Sequence, residues 1–283
     1  MVTILDGPVG TELLLRGVPT PPPWWSAAAL ESAPGVLAAI HADYRRAGAQ
    51  VHTANTFRTQ ARTVGPDWRR LTDLAVASCR RHGAAEGGRV AGSLAPLEDC
   101  YRPDLSPSNP RPEHRRMAQA LAASGCDLLL VETFPHVGEA LVATEEALRT
   151  GLPVWVSFTA GPDADLLRPA EVRAGAQEAV RLGAAAVLVN CVPATRTLPY
   201  LHALADLGVP FGAYANAGAA DEALGWAGHH DDPDAAERYA DLAEGWVAAG
   251  ASLLGSCCGT GPRTIRALHA RFADPVPSPG AVT

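Results

Sequence analysis

The chain is predicted to be an α/β protein folded as a (β/α)8 barrel, on three observations. Eight short, continuously apolar runs recur along the sequence. Segments rich in Ala, Leu, Arg and Glu lie between them, and no compositional break divides the 283 residues, so 1–283 is read as a single barrel domain. Continuous apolar runs, as opposed to strict apolar/polar alternation, mark parallel strands covered on both faces. A doubly wound sheet is the competing arrangement. The GxGxxG phosphate loop that often opens such a sheet is absent after the first run, which continues LDGPVGTELLLRG.

Taken in order, the strands are VTIL before Asp6, AQVHTAN ending at Asn55, RVAGS ending at Ser93, and CDLLLVET ending near Glu132. PVWVSF follows around Ser157, then AAVLVNC ending at Cys191, VPFGAYAN ending at Asn216, and ASLLGSCC ending in Cys257 and Cys258. Helices are expected over 35–47, 67–86, 112–124, 138–149, 169–182, 195–206, 233–249 and 262–270, each long enough and rich enough in helix formers to cross back over the sheet. Two proline-rich stretches, GVPTPPPWW (17–25) and CYRPDLSPSNPRP (100–112), are expected as stiff rim loops over one end of the barrel.

Charge excludes one class of partner. With 23 basic and 30 acidic residues, net −7, the chain offers no basic surface for a phosphate backbone, and no nucleic acid is expected. No run of eighteen apolar residues and no basic-then-apolar leader occurs, so a soluble cytoplasmic protein without membrane association is expected. In that setting the six cysteines are expected to be reduced thiols.

In a barrel of parallel strands the C-terminal strand ends converge on one mouth, where catalytic groups sit. Cys191 closes the sixth strand and Cys257 and Cys258 follow the eighth, one strand apart around the ring. Three thiolates so placed can share a zinc ion and leave one tetrahedral position open. The alternative from spacing alone is that Cys191 is packing and the vicinal pair a coincidence. Cys79, in a helix, Cys100, in a proline-rich loop, and Cys126, where the fourth strand begins, are read as filler. His52 lies near the mouth, while His229 and His230 read as exposed loop residues.

LDGPVGTEL, TANTFRTQ, AGSLAPLEDCYRPD, VETFPHVGEA, VNCVP, YANAG and GSCCGTGPRTIRAL, in this order and over almost the whole chain, resemble the zinc-dependent, cobalamin-independent homocysteine S-methyltransferase family. The resemblance implies a homocysteine-binding TIM barrel whose Cys191, Cys257 and Cys258 hold zinc. Homocysteine is then the acceptor, methionine the product, and a small molecule, S-methylmethionine or S-adenosylmethionine, the methyl donor. It implies Asp6 and Glu132 as partners of the substrate ammonium, with Thr56 and the backbone around Gly7 and Ser93 receiving the carboxylate. Asn216 matches a position that can approach the metal when the acceptor is absent. Phe57 stands where the family often has tyrosine, and Pro8 interrupts a glycine-rich turn and removes an N–H. A selenocysteine acceptor, betaine, a partner-bound folate or corrinoid donor, and a non-enzymatic protein with structural zinc are the alternatives. No long oligomerisation arm is evident, and a monomer is preferred.

Overall fold

The computed structural model describes residues 1–226 and 232–273. Eight parallel strands follow one another around a ring: β1 (Thr3–Ile4), β2 (Val51–Ala54), β3 (Arg89–Leu94), β4 (Leu128–Phe134), β5 (Val154–Phe158), β6 (Ala186–Pro193), β7 (Phe211–Asn216) and β8 (Leu253–Ser256). Their order is β1-β8-β7-β6-β5-β4-β3-β2, every pair parallel. The ring closes between β1 and β2 through one bridge, Leu5 to Val51. This seam carries two backbone bonds, Gln50 N–H to Ile4 O (2.8 Å) and Asp6 N–H to Val51 O (3.0 Å). Two side chains complete it: Gln50 Oε1 accepts from Ile4 N–H (2.9 Å) and Asp6 Oδ2 from Thr53 N–H (2.9 Å).

The helices are α1 (Val9–Leu15), α2 (Ala29–Ser32), α3 (Pro34–Arg46), α4 (Ala61–Val64), α5 (Trp68–His82), α6 (Arg111–Ala123), α7 (Val137–Leu148), α8 (Pro169–Leu182), α9 (Leu198–Leu204), α10 (Pro233–Ala248) and α11 (Pro262–Phe272). Proline occupies the first turn of α3, α6, α8, α9, α10 and α11, where its missing N–H costs nothing and its fixed φ suits the helix. The expected helices are all present, though 195–206 splits into a 3-10 turn and the shorter α9. Three further helices, α1, α2 and α4, form where none was expected. No helix among the described residues is long and apolar enough to cross a membrane.

Strand alternation sorts the apolar residues into two layers. Leu5, Val51, Leu128, Leu130, Leu188 and Leu253 fill the ring, with Trp155 among them and the Arg89 guanidinium 5.2 Å from its ring centre. Ile4, Val90, Leu129, Val156, Val189 and Leu254 pack outward against the helices. Two strands break their alternation at the mouth. The β4–β5 register shifts between Val131 and Phe134 and the β6–β7 register between Asn190 and Pro193. Within these bulges Thr133 (φ 61°) and Cys191 (φ 52°) adopt left-handed backbone, uncommon for a residue with a Cβ and most costly for a β-branched one.

Candidate active site

A cavity of about 200 Å3 opens at the C-terminal ends of the strands. Of the nine residues expected in the site, Asp6, Gly7, Ser93, Glu132, Cys191, Cys257 and Cys258 line it. Both proline-rich loops reach it, one through Trp25 and Ser26 and the other through Cys100 and Tyr101. Gly7 is required by close approach: a Cβ there would stand 2.7 Å from the Tyr44 ring and 2.9 Å from Ser256 Oγ.

The sulfurs of Cys191, Cys257 and Cys258 lie within 4.8 Å of one another. Cys258 Sγ is 3.9 Å from Cys257 Sγ, close to the separation of about 3.8 Å that two thiolates take on a shared tetrahedral zinc with bonds of about 2.3 Å. The backbone turns after Ser256 and presents both members of the vicinal pair to one point, helped by Gly259 at φ +82°. Cys191 and Cys257 are paired as a disulfide with Cα atoms 5.7 Å apart, against the expectation of six free thiols. Bulged β6 and the end of β8 bring these two residues within the span a disulfide bridges. A disulfide engages two of the three sulfurs, whereas a metal ion engages all three, and the all-thiolate donor set fits zinc. Burial pushes the Cys258 thiol above its ordinary range, so without a cation it keeps its proton.

Two carboxylates face the same space. Asp6 is buried; its oxygens accept from Thr53 N–H (2.9 Å) and Thr53 Oγ1 (3.0 Å). Burial pushes its pKa up to about 8; the bonds from Thr53 oppose this, and the Glu132 charge adds to it. Glu132 accepts from the Ser93 hydroxyl and from the Tyr214 phenol (3.0 Å), and burial raises it too. No Arg, Lys or His lines the cavity among the described residues. Two desolvated carboxylates without a cation form a site that a ligand's positive charge completes.

The remaining expected residues sit elsewhere. Thr56 is fully buried and its hydroxyl donates to Ser93 O (2.9 Å), so it supports the wall from behind and offers nothing to a ligand carboxylate. Asn216 donates to the Cys191 carbonyl (3.1 Å) and its Oδ1 accepts from Gly218 N–H (2.8 Å), which turns its oxygen away from the sulfurs. His52 points outward beneath α5, with Nε2 at 3.1 Å from Ala49 O, because strand alternation gives the inward position to Val51. Cys79 and Cys126 are buried outside the ring as expected, but Cys100 lines the cavity, its thiol pushed up to about 12 by burial. His229 and His230 lie outside the described residues. Residues not anticipated from sequence also contribute: Tyr214 and Thr53 hold the carboxylates, and Asn190 holds Cys191. The signal for Asn190 was its place in VNC.

A family profile described as homocysteine S-methyltransferase matches residues 3–272. The chain is 34% identical to the homocysteine S-methyltransferase of Escherichia coli K12, over 95% of each chain. It is 32% identical to homocysteine S-methyltransferase 4 of Zea mays, over 94% of this chain and 87% of that one. Its fold superposes on the crystal structure of the metallated form of the E. coli homocysteine methyltransferase MmuM with a TM-score of 0.79, at 28% identity, over 95% of this chain and 96% of that one. Three converging cysteine sulfurs at the mouth of an eight-stranded barrel, with this match over nearly the full length, place the chain in the homocysteine S-methyltransferase family.

Proposed function

We propose that the protein transfers a methyl group from a sulfonium donor, S-methylmethionine or S-adenosylmethionine, to the thiol of L-homocysteine. The family activity is methyl transfer to homocysteine, forming methionine, with zinc as cofactor. The observation that carries the reading is the meeting, in one cavity, of three cysteine sulfurs with two cation-seeking carboxylates.

Cys191, Cys257 and Cys258 would hold the zinc ion. When bound, zinc keeps a coordinated thiol ionised at neutral pH, where a free thiol of pKa about 8.5 is only a few per cent thiolate. Three cysteine thiolates would more than balance the charge of the ion, a donor set that would leave a further sulfur ligand nucleophilic. Asp6 and Glu132 take the α-ammonium of homocysteine, and Gly7 leaves room for its backbone end. The new S–CH3 bond forms as the donor's S–CH3 bond breaks. The donor leaves as a neutral thioether, and the acceptor's thiol proton passes to solvent. Trp25, Phe57 and Tyr101 also line the cavity, and aromatic faces suit a sulfonium and a quaternary ammonium donor alike. The Arg58 guanidinium lies 5.0 Å from the Phe57 ring centre, and Arg58 also bonds the Pro96 and Glu98 carbonyls of the loop that carries Tyr101. Holding both reactants in this enclosure supplies the remaining rate enhancement through orientation.

The test is a donor panel with homocysteine fixed and methionine as readout. Turnover is expected with S-methylmethionine or S-adenosylmethionine, negligible turnover with betaine, and none with free methyltetrahydrofolate, a poor leaving group without activation. Betaine turnover comparable with that of the sulfonium donors would overturn the donor assignment. Silence with every donor, in zinc-loaded protein that binds homocysteine, would replace it with a partner-delivered methyl group.

A further inference from the structure

Behind the cavity wall, buried polar groups join Cys191 to Thr133, the chain neighbour of Glu132. Asn190, 1% exposed, stands at their centre and uses both ends of its amide. Its Oδ1 accepts from the backbone N–H of Thr133 (3.1 Å) and from the Ser157 hydroxyl (2.7 Å). Its Nδ2 donates to Thr133 Oγ1 (2.8 Å) and to Cys191 Sγ (3.4 Å). Thr133 directly follows Glu132, whose carboxylate accepts from Ser93 and Tyr214. The amide orientation is determined by its partners: a backbone N–H can only donate, so Oδ1 faces Thr133 and Nδ2 faces the sulfur.

The two residues that Asn190 joins, Thr133 and Cys191, are the same two that adopt left-handed backbone in the β4 and β6 bulges. Such conformations persist where surrounding contacts over-determine them. A primary amide suits the task because it offers two acceptor sites and two donors in one plane; aspartate lacks the donors and leucine lacks both.

We infer that Asn190 is a positioning residue that locks the two bulges together, holding the Cys191 sulfur and the Glu132 carboxylate in one rigid frame and tuning the sulfur through an N–H···S hydrogen bond. The inference rests on the zinc reading of the three cysteines. In metal centres, hydrogen bonds to the ligands set ligand orientation and electron donation. Homocysteine spans the two ends of this frame, its sulfur near Cys191 and its ammonium near Glu132, so the separation of those ends decides how well it fits.

The test uses reduced full-length protein loaded with Co(II) in place of zinc, comparing the parent, Asn190→Asp and Ser157→Ala. The parent is expected to bind about one cobalt ion with a sulfur-to-cobalt charge-transfer band in the near ultraviolet. Asn190→Asp keeps the acceptor for Thr133 and Ser157 but loses the donor to Cys191. Its band is expected at lower energy with metal stoichiometry retained, and its homocysteine Kd about tenfold weaker. Ser157→Ala keeps the N–H···S bond. Its band is expected to coincide with the parent's, while its homocysteine Kd rises about threefold because Asn190 Oδ1 loses one of its two donors and holds Thr133, beside Glu132, less firmly. A parental band and parental Kd in Asn190→Asp would overturn the inference, as would an equal band shift in Ser157→Ala. If Asn190→Asp does not fold, Ser157→Ala decides alone, and parental homocysteine binding there overturns the frame. A parent that binds no cobalt through thiolates fails before any variant is compared, which separates failure of the zinc reading from failure of the Asn190 role.

Discussion

Replacing Glu132 by glutamine removes one charge from the cavity and almost no volume. Glu132 is 7% exposed and accepts from the Ser93 hydroxyl and the Tyr214 phenol. Glutamine can accept from one of these and donate to the other, since each hydroxyl oxygen has free lone pairs. The wall therefore survives the change. What disappears is the charged partner of the substrate ammonium, a contact worth roughly 1.5–3 kcal/mol when desolvated, or one to two powers of ten in Kd. Stability should move the other way. Burial raises the folded-state pKa of Glu132, so the unfolded chain releases a proton that the folded chain holds, and the fold loses stability as pH rises above the ordinary carboxylate range. Glutamine carries no such cost, and the ligand-free variant is expected to melt no lower than the parent at pH 7. Calorimetric titration with homocysteine, metal analysis and thermal melting on the same preparations test all three points. Parental affinity in Glu132→Gln, or loss of its zinc, would refute the reasoning.

Cys257→Ala and Cys258→Ala are expected to lose bound zinc, while Cys79→Ala, whose thiol is buried against the His52 carbonyl, keeps it; metal analysis of reduced protein that found zinc retained in either of the first two would remove them as ligands. For Asp6 the pKa is raised from 3.8 to about 8, so folded protein keeps a proton between those values that unfolded chain has lost, and stability falls as pH climbs through that window by up to about 1.4 kcal/mol per unit. Asp6→Asn should remove this decline and weaken homocysteine binding; melting temperatures from pH 5 to 8 that run parallel in parent and variant would contradict it. His41 and His52 act in the acid range. Burial lowers them from 6.5 to about 3 and about 4, so their contribution is complete above pH 6.5 and drains away as pH falls, at about 1.4 kcal/mol per unit for each. His41 is fully buried with neither ring nitrogen partnered, and His41→Leu should reduce the slope of stability with pH, measured by urea unfolding between pH 6.5 and 4.5, by up to about 1.4 kcal/mol per unit; an undiminished slope would exclude it as a source.

The barrel was legible because most strands are continuous apolar runs and six helices carry proline in their first turn, signals that survive in a single sequence. The helix at Val9–Leu15 was not, because TELLLRG has no amphipathic period: Leu13 is fully buried, while Leu14 and Leu15 beside it are exposed. At the site, residue type carried the cysteines and carboxylates, since few roles suit a vicinal pair or a buried acid at a strand end. Thr56 was misplaced because its orientation depends on the turn after β2, which sends the hydroxyl under Ser93. Asn190 went unread for a related reason. Strict alternation would put it on the face opposite Cys191, and only the left-handed backbone at Cys191 lets its amide reach the adjacent sulfur, a local departure that no periodicity announces.

The seam between β1 and β2 has a bearing on how the ring opens. Elsewhere neighbouring strands share a ladder of carbonyl–amide bonds, but here Ile4 and Thr53 donate their amides to the side chains of Gln50 and Asp6. Side chains swing away more readily than a carbonyl held in a ladder, so these two amides form the line along which solvent first enters the sheet. That line runs beside Asp6. An ammonium group held between Asp6 on one side of the seam and Glu132 three strands away would act as a clasp, and hydrogen exchange at Ile4 and Thr53 should slow when homocysteine is bound.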